Sequence, residues 1–567
     1  MVMSRRKTKV NALLSVLISL GILIFINVLN QSFFKRFDLT SDQRHSLRDA
    51  SVEIVEELED PVFVRVYLEG EFPADFKRLR NAVKQILDEL RAYAGENIQY
   101  EFINPSASND PVKKKEMYTK LSESGLTYTN LTIRTKDGVE EKILFPGALI
   151  TYRNKEIPLQ LLKSTNRVPS PEMMQNSINN LEYNLLSAIH QVTQTRKKKI
   201  AWIGGHGEIT GLDAYDMVEH LAERYTIFDV NINEKLNALI GYDLIIIAGP
   251  KEAISEKDKF IIDQFIMKGG AAMFLVDGLQ ADMDSLQSQN NMMALASNHN
   301  LWDMLFNYGV RLKRDVLMDA ACAMIPINVG KFGDQANLKM FPWYFHPTLI
   351  TTKNHPISAN VNPVFTQFLS SLDTVGNDKD IKKTILLETS PLTLRRMAPA
   401  RINLNTVSID PGFEKNSIGK TPVAVLLEGK FKSLYANRLT PNIEQDTLIA
   451  FQEKALLDTR IMVVGDGEIT KNYSNRQTGT VYPLGYDKFL RKIVYGNKDF
   501  LANAVDYLLN DERLIKIRAK EIEVRKLNDR KILAKESEIQ LANLALPIII
   551  VGVFVFIILI IKRRKFS

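Results

Sequence analysis

Two apolar stretches at opposite ends of the chain constrain its topology more than any other feature. They cover Ala12–Leu29 and Leu541–Ile561. At a rise of about 1.5 Å per residue, helices of these lengths reach across a hydrocarbon layer about 30 Å thick, the first only just. Lys and Arg beside a membrane segment stay on the cytoplasmic side, so both tails are predicted to be cytoplasmic. The basic residues that flank the stretches are Arg5, Arg6, Lys7, Lys9, Lys562, Arg563, Arg564 and Lys565.

Each stretch has a second interpretation. A basic start before an apolar run is also typical of a cleaved signal peptide, but residues 30–37 contain no convincing small-x-small cleavage site. The second stretch could form a buried core helix, yet an uncharged run that ends in Lys-Arg-Arg-Lys favours a span. We therefore expect membrane helices over residues 10–30 and 541–561, with cytoplasmic tails at 1–9 and 562–567. Polar or small residues suited to close helix packing are Ser15, Ser19, Asn27, Asn543 and Gly552.

The positive charge of the chain belongs to its tails. The formal net charge is +7, but without the eight flanking basic residues, 65 Lys and Arg face 66 Asp and Glu. The body between the stretches is therefore almost neutral, and it has no basic stripe with interleaved aromatic residues that would favour nucleic-acid binding. The single cysteine, Cys322, excludes an intramolecular disulfide and a multi-cysteine metal site. Its small, apolar neighbours are typical of a packed thiol.

The body is too long for one hydrophobic core, and its first part is predicted to be an α/β domain over residues 31–165. Residues 62–70 have the pattern of a strand, residues 76–94 that of an amphipathic helix, and residues 98–105 that of a second strand. A right-handed crossover would make these two strands parallel. Further alternating segments on either side of Lys136-Asp137-Gly138 predict a hairpin.

A linker and a helix are predicted over residues 166–198, followed by a larger α/β domain over residues 199–510. Its apolar strands alternate with helices, which indicates a doubly wound parallel sheet of the flavodoxin or amidotransferase type. The apolar segments 420–429 and 459–467 are expected to extend this sheet. Residues 279–300 are polar and resemble a mobile loop.

Residues 511–540 are predicted to form a membrane-proximal arm. Apolar and charged residues alternate from Leu514 to residue 524, which favours a strand followed by a helix from Asn528. One continuous stalk helix is the competing interpretation.

The ends of the predicted strands carry the candidate functional residues. Ligands of doubly wound sheets bind beyond the carboxyl ends of the strands. Two glycines beside an acid/base pair follow one strand, at Gly205, His206, Gly207 and Glu208. The alternative is a tight turn with local hydrogen bonds, and we favour such a structural or partner-contact role over catalysis.

Three more acidic residues follow strand ends. They are Asp277, Asp466 and Glu468. If the strand that precedes His206 is a neighbour of the strand that precedes Asp466, then His206, Glu208, Asp466 and Glu468 would form one polar rim.

Known catalytic signatures do not support an enzyme. The glycine spacing after the strand at residue 199 does not match the dinucleotide fingerprint. The sequence contains no G-x-S-x-G elbow, P-loop or H-E-x-x-H motif, and Cys322 does not lie on a strand-to-helix elbow as an amidotransferase nucleophile would. We therefore predict no cofactor, no metal site and no catalytic residue.

A series of segments spread along the chain occurs in a characteristic order. They are RFDLTSDQRHSLRD, NLEYNLLSAIHQV leading into KIAWIGGHGE, YDLIIIAGP, GGAAMFLVDG, RIMVVGDGEITKN, GNKDFLANAVDYLL and LIKIRAKEIEVRKLND. With the two apolar stretches, this series resembles the GldG family, the auxiliary membrane subunits of gliding-motility ABC transporters in Bacteroidetes. The family's middle domain is similar to a protein-interaction domain of intraflagellar-transport proteins.

The resemblance implies a noncatalytic subunit of the bacterial inner membrane, with its large domain in the periplasm for recognition of a partner or substrate. Its implied partners are a GldF-type permease and a GldA-type ATPase, with further copies of itself and other periplasmic or envelope proteins as additional candidates. A mechanical adaptor that couples ATP-driven motion to periplasmic machinery is the alternative. A periplasmic enzyme that uses His206 and Glu208 is the third hypothesis.

Overall fold

Two separate sheets, each with helices packed against it, organise the chain. The computed structural model describes residues 47–509, together with a few single residues on either side. Within that span, residues 136–137, 163–170, 195, 333–334, 352–354, 359–360, 377–379, 409–410, 437–449 and 476 are not described. All the helices and strands given below lie in one compact unit, Leu47–Lys520.

The first sheet has four strands in the order β2-β1-β5-β6. Strands β1 and β2 are parallel and are connected through α2, which confirms the predicted strand–helix–strand unit. Strands β3 and β4 pair as the predicted hairpin. The elements are α1 (Asp49–Glu56), β1 (Val62–Val66), α2 (Ala74–Ala94), β2 (Ile98–Phe102), α3 (Pro111–Glu123), β3 (Thr129–Thr135), β4 (Gly138–Leu144), β5 (Gly147–Tyr152), β6 (Lys155–Gln160), α4 (Pro171–Asn179) and α5 (Leu181–Thr193).

Helix α2 forms because its apolar residues recur every three or four positions. Leu79, Val83, Leu87 and Leu90 are fully buried against the first sheet, while the opposite face of the helix is charged. Each such side chain contributes about 2 kcal/mol through its removal from water. The helix ends at Gly95, whose φ of 59° is readily adopted by glycine.

The single helix predicted within residues 166–198 is divided in two at Asn180. Its second half, α5, buries Leu185 and Ile189 in the core of the first sheet, so it packs with the N-terminal part of the chain. Leu514 and Ile517 are buried in the same core in helical backbone. The strand predicted from Leu514 is therefore wrong: both residues lie on one face of a helix, three positions apart, and tertiary burial decides their conformation.

The second sheet has seven strands in the order β19-β22-β23-β10-β9-β7-β8. Its elements are β7 (Lys199–Gly204), α6 (Tyr215–Ala222), β8 (Thr226–Asn231), β9 (Leu244–Ala248), α7 (Glu256–Met267), β10 (Ala271–Leu275), β19 (Ile381–Glu388), β22 (Pro422–Gly429), β23 (Thr459–Val464) and α11 (Asn497–Leu509). Strands β8, β7, β9, β10 and β23 are parallel, in the 2-1-3-4-5 order of flavodoxin-like folds.

Two strands extend this sheet in a way that corrects the prediction of a parallel sheet. Strand β22 pairs antiparallel with β23, and β19 pairs antiparallel with β22. The sheet is therefore mixed, although the segments 420–429 and 459–467 join it as expected. Apolar runs specify burial on both faces, but they do not specify strand direction, which depends on the route of the connecting chain.

Helices cover both faces of the second sheet. Helices α6 and α11 contribute to the core on one face, and α7 contributes to the core on the other. Phe500, Leu501 and Val505 are buried in α11.

A long insertion lies between β10 and β22. Its elements are β11 (Leu279–Gln280), α8 (Met283–Gln289), β12 (Asn291–Ala296), α9 (Trp302–Tyr308), β13 (Val310–Leu312), β14 (Asp315–Asp319), β15 (Cys322–Phe332), β16 (Gln335–Leu349), β17 (Val364–Phe365), β18 (Leu372–Thr374), β20 (Thr393–Met397), β21 (Ala400–Asn403) and α10 (Phe413–Asn416). The mobile loop predicted over 279–300 is wrong, because Leu286 and Ala294 are fully buried and β12 pairs with β21.

Two short hairpins connect β23 to α11. They are β24 (Ser474–Asn475) with β25 (Thr480–Val481), and β26 (Tyr486–Asp487) with β27 (Lys492–Ile493).

No helix among the described residues is both long and apolar enough to cross a membrane. Most residues of the two predicted spans lie outside the described part of the chain.

Asp506 of α11 links three separate segments of the chain. Its carboxylate accepts hydrogen bonds from Arg224 Nη1 at 2.5 Å, Tyr225 Oη at 2.8 Å and Tyr183 Oη at 3.1 Å. Tyr183 lies in α5, whereas Arg224 and Tyr225 directly precede β8. The Asp506 side chain is only 7% exposed, so its charge depends on these partners.

We expect Asp506→Ala to lower the free energy of unfolding by about 3 kcal/mol, because a cation and two hydroxyls lose their acceptor in a largely buried place. Tyr183→Phe removes one of the contacts and should cost about 1 kcal/mol. The midpoint of thermal unfolding of the purified full chain measures both effects. Asp229→Ala, at an exposed position of β8, is the matched control. Equal midpoints for the Asp506 and Asp229 variants would contradict the prediction.

Candidate functional site

The carboxyl ends of the parallel strands of the second sheet bring most of the predicted site residues to one edge. We define the rim as the four loops that follow these strands: Gly205–Glu208 after β7, Gly249–Lys251 after β9, Asp277–Gly278 after β10 and Gly465–Glu468 after β23. The strand order reverses between β7 and β9, and such switch points are where open α/β sheets bind ligands.

The strands that precede His206 and Asp466 are not neighbours, because β9 and β10 lie between β7 and β23. The condition for one continuous group of His206, Glu208, Asp466 and Glu468 is therefore not met. Asp277 follows the strand next to β23, so it is Asp277 that meets the Asp466 loop.

His206 lies between two carboxylates. Its Nδ1 is 3.1 Å from Glu208 Oε1, and its Nε2 is 3.3 Å from Asp258 Oδ2 near the start of α7. The His206 backbone N–H also donates to Glu208 Oε2 at 2.6 Å. The hydrogen bond from the ring to Glu208, with the charges of Glu208 and Asp258, raises the pKa of His206 despite the opposing effect of burial.

A second charged group surrounds Lys251. Its Nζ lies 3.4 Å from Asp277 Oδ2, and the other oxygen of Asp277 accepts the Gly467 N–H at 2.7 Å. Asp466 accepts the backbone N–H groups of Glu468 at 2.7 Å and Gln367 at 2.8 Å. These bonds fix the turn that follows β23 against the end of β10.

Burial controls the protonation of this second group. Burial first, and then the charge of Asp277, raise the pKa of Asp466 well above its usual value. Burial also raises the pKa of Glu468, although Lys471 opposes this change. Burial alone would lower the pKa of Lys251, but the carboxylates of Asp277, Glu468 and Asp466 raise it. The lysine therefore stays charged and compensates the nearby acids.

The backbone connects the two charged groups. The N–H groups of Lys251 and Glu252 both donate to the His206 carbonyl at 2.9 Å. Gly205 and Gly207 have φ values of 107° and 78°, which glycine adopts without a steric penalty. These glycines let the loop after β7 turn back towards the loop after β9.

The loops after β9, β10 and β23 contact one another closely. A Cβ added to Gly467 would lie 2.5 Å from Gly249 Cα and 2.6 Å from Asp277 Oδ2. A Cβ added to Gly465 would lie 2.1 Å from the Ser370 carbonyl oxygen. The backbone of each of these loops thus packs directly against its neighbour on the β9–β10–β23 side of the rim.

The chemistry available at the rim is limited to paired charges. An imidazole between two carboxylates favours its protonated form, which makes it a weak general base at neutral pH. Cys322 lies in β15, and burial together with Asp319 raises its pKa to about 11, so it stays a thiol. Among the described residues, no group of three or more His, Cys, Asp or Glu side chains is arranged to hold a metal ion.

Two cavities lie at the opposite, amino-terminal edge of the second sheet. One, of about 260 Å³, is mainly apolar and is lined by Leu239, Tyr242, Phe260 and Phe265. The other, of about 370 Å³, is polar and is lined by Lys198, Asp243, Lys268, Asp458 and Arg460. Sequence reasoning did not select these residues; the basic run at 196–199 was the one signal available for the polar cavity.

The residues predicted to pack membrane helices are mostly untested. Ser15, Ser19, Asn27 and Asn543 lie outside the described residues. Gly552 is described as helical and exposed, and no described atom lies within 4 Å of a Cβ added there.

The raised pKa of His206 predicts a pH-dependent contribution to stability. Its contribution is complete below the unfolded-state pKa of about 6.5 and is lost as the pH rises through the folded-state pKa. We expect His206→Gln to cost roughly 1 kcal/mol more at pH 5.5 than at pH 9. Thermal unfolding at both pH values measures this difference. Glu208→Gln should lower the pH-dependent part of the stability in the same way. A cost that is independent of pH would refute the imidazolium assignment.

Comparisons with known families match two parts of the chain. Residues 41–151 match a domain of unknown function, DUF7088. No curated protein matches the sequence. A solved structure titled "mmIFT52 N-terminal domain" aligns with 56% of this chain and 99% of its own length, at 14% identity and a TM-score of 0.32, which is too low to carry an argument.

The second sheet and its insertion account for the main match. Residues 197–504, from the start of β7 into α11, match the family model ABC_transp_aux, described as an ABC-type uncharacterized transport system. This range is more than half of the 567 residues and contains all four rim loops. The chain therefore belongs to this family of auxiliary proteins of ABC-type transport systems.

Proposed function

We propose that this chain is a GldG-type auxiliary subunit of the ABC transporter used in gliding motility, anchored in the bacterial inner membrane at both ends with its body in the periplasm. The observation that carries the proposal is the family match over residues 197–504, placed between two apolar stretches with outward-facing basic residues. The family supports association with an ABC transporter. The two stretches support attachment to the membrane.

ATP hydrolysis in such a complex is assigned to another subunit. The sequence contains no P-loop, which nucleotide hydrolysis by an ABC ATPase requires. We therefore propose a GldA-type ATPase and a GldF-type permease as partners. Ser19 and Gly552 are proposed to contact the permease within the membrane, since small residues allow helices to approach closely.

The geometry of the rim supports a noncatalytic role for the body. His206, Lys251 and the nearby carboxylates compensate one another, and the rim loops pack directly against one another. A substrate would have to displace these contacts before it reached any acid/base group. The rim is better suited to holding four loops in fixed positions for contact with another protein, and the enzyme hypothesis loses its main support.

A specific feature also favours the adaptor hypothesis. Leu514 and Ile517, which follow the second sheet in the chain, are buried in the core of the first sheet. Asp506 joins α11 to α5 through Tyr183. The body is therefore connected at several points, so a displacement at one end would be transmitted through packed elements. Calorimetry of the purified chain with periplasmic small-molecule extracts distinguishes the two roles, since an adaptor binds none of them.

The proposed topology predicts which side of the membrane each part occupies. In a Cys322→Ser background, Thr478→Cys places a thiol on the exposed connection between β24 and β25, and Ser567→Cys places one in the C-terminal tail. A membrane-impermeant maleimide added to spheroplasts should label position 478, whereas position 567 should react only after lysis. Labelling of position 567 in intact spheroplasts would overturn the proposed orientation.

The proposed packing of the membrane helices predicts that bulky substitutions weaken association with the permease and ATPase. Ser19→Leu and Gly552→Leu should each reduce the permease and ATPase recovered with an affinity-tagged chain by roughly tenfold, since about 1.4 kcal/mol of packing is lost. Val553→Leu adds bulk at the next residue, which a helix turns about 100° away from Gly552, and is the matched control. The midpoint of thermal unfolding of the body should stay unchanged in all three variants. Full recovery of both partners with the leucine variants would refute the contact.

A further inference from the structure

The β26–β27 hairpin presents six consecutive exposed residues. We call residues 488–493 the hairpin tip: Lys488, Phe489, Leu490, Arg491, Lys492 and Ile493. Phe489 is 41% exposed, Leu490 57% and Ile493 59%. Scattered exposed apolar residues are ordinary, but three within six residues, together with three cations, form a concentrated amphipathic surface.

The base of the hairpin is fixed to the second sheet's domain. The Leu484 N–H donates to Asp216 Oδ2 at 2.7 Å. A Cβ added to Gly485, whose φ is 85°, would lie 2.2 Å from the Tyr495 carbonyl oxygen, so the two sides of the base are in direct contact. The Tyr482 and Tyr486 rings stack with centroids 4.8 Å apart. The tip is therefore held in one orientation by contacts that do not involve its own side chains.

The carboxylate of Asp487, the single acid of the hairpin, accepts hydrogen bonds from within the hairpin. Asp487 Oδ1 accepts the backbone N–H groups of Phe489 at 2.8 Å and Leu490 at 3.0 Å. Asp487 also accepts the hydroxyl of Tyr495, and burial together with this carboxylate raises the pKa of Tyr495 to about 12. The negative charge thus stabilises the turn and faces the base of the hairpin.

The cations of the tip have no acidic partner. Within the part of the chain that the structure describes, no carboxylate lies within ion-pair distance of Lys488, Arg491 or Lys492. Lys488 Nζ instead lies 5.2 Å from the ring centroid of Tyr473 and 5.1 Å from that of Phe489. Tyr473 is itself 44% exposed, so an aromatic ring with a polar end flanks the tip.

This combination fits a lipid surface better than a protein surface. Phe, Leu and Ile side chains gain by entering the boundary between headgroups and acyl chains, while Lys and Arg remain among anionic headgroups. Tyrosine is favoured at the same depth because one end of its ring is apolar and the other is polar. An acidic protein surface would compensate the three cations but would not remove the exposed Phe489, Leu490 and Ile493 side chains from water.

We propose that the hairpin tip docks on an anionic lipid surface and orients the body of the protein against the membrane. The inference rests on the proposed function for the tethers that keep the tip near a bilayer. Docking places three cations among anionic headgroups, and each cation strengthens it roughly fivefold.

The test uses the full chain reconstituted in lipid nanodiscs. In a Cys322→Ser background, an environment-sensitive NBD fluorophore is attached at Leu490→Cys, or at Thr478→Cys on the neighbouring hairpin as the matched control. With phosphatidylglycerol in the disc, NBD at position 490 should emit at shorter wavelength and be quenched by doxyl-labelled lipid. The control should show neither effect. With phosphatidylcholine alone, both positions should remain in water.

Charge removal provides the second arm of the test. K488Q/R491Q/K492Q should lower the ratio of docked to undocked tip by about a hundredfold, with an unchanged midpoint of thermal unfolding because the three side chains are exposed. No NBD shift in a chain that co-elutes with the disc would overturn this inference and leave the proposed function intact. A shift that appears only when permease is added would assign the tip to a protein partner instead. A chain that does not co-elute with the disc would overturn both proposals.

Discussion

Burial of the central strands of the second sheet on both faces is the constraint on which the rest of the structure depends. Every residue of β9 and β10 is buried, and helices α6 and α11 on one face and α7 on the other complete the two cores. Because these strands are parallel, the loops that follow them meet at one edge and the loops that precede them meet at the other. The rim and the two cavities at the amino-terminal edge both follow from this arrangement.

The charged residues of the rim illustrate how that constraint affects chemistry. The edge of a buried sheet offers little water, so each charge there needs a partner within the protein. His206 has two carboxylates, and Lys251 compensates Asp277 and its neighbours. The same reasoning applies to Asp506, which is satisfied by one guanidinium and two hydroxyls from distant segments. Groups that resemble an acid/base site in the sequence thus serve in the structure as connections between loops, which agrees with an auxiliary role in a transport system.

Local sequence patterns predicted the structure correctly where short-range periodicity decides it. The period of apolar residues in α2 identified the helix and its buried face, and the strand–helix–strand unit followed from it. Patterns failed where distant contacts decide the outcome. Residues 279–300 are polar, yet β12 is ordered because β21 pairs with it from more than a hundred residues away. Leu514 alternates like a strand residue, but it is helical because Ile517 on the same face enters the same core. The exposed hairpin tip gave no signal in the sequence, because a short run of three apolar and three basic residues does not show which of its side chains the fold exposes.

The sequence by itself determined the class of the second domain, the apolar strands of its sheet, the glycine-rich turn at His206 and the concentration of positive charge beside the two apolar stretches. These follow from composition and short-range periodicity, which need no knowledge of the fold. Only the tertiary structure decided that β22 runs against its neighbours, that β9 and β10 separate His206 from Asp466, and that Gly467 packs against Gly249. The physical reason is that strand order and loop contacts depend on which surfaces pack together once the chain has folded. A sequence pattern indicates which residues are buried, but it does not indicate what they pack against.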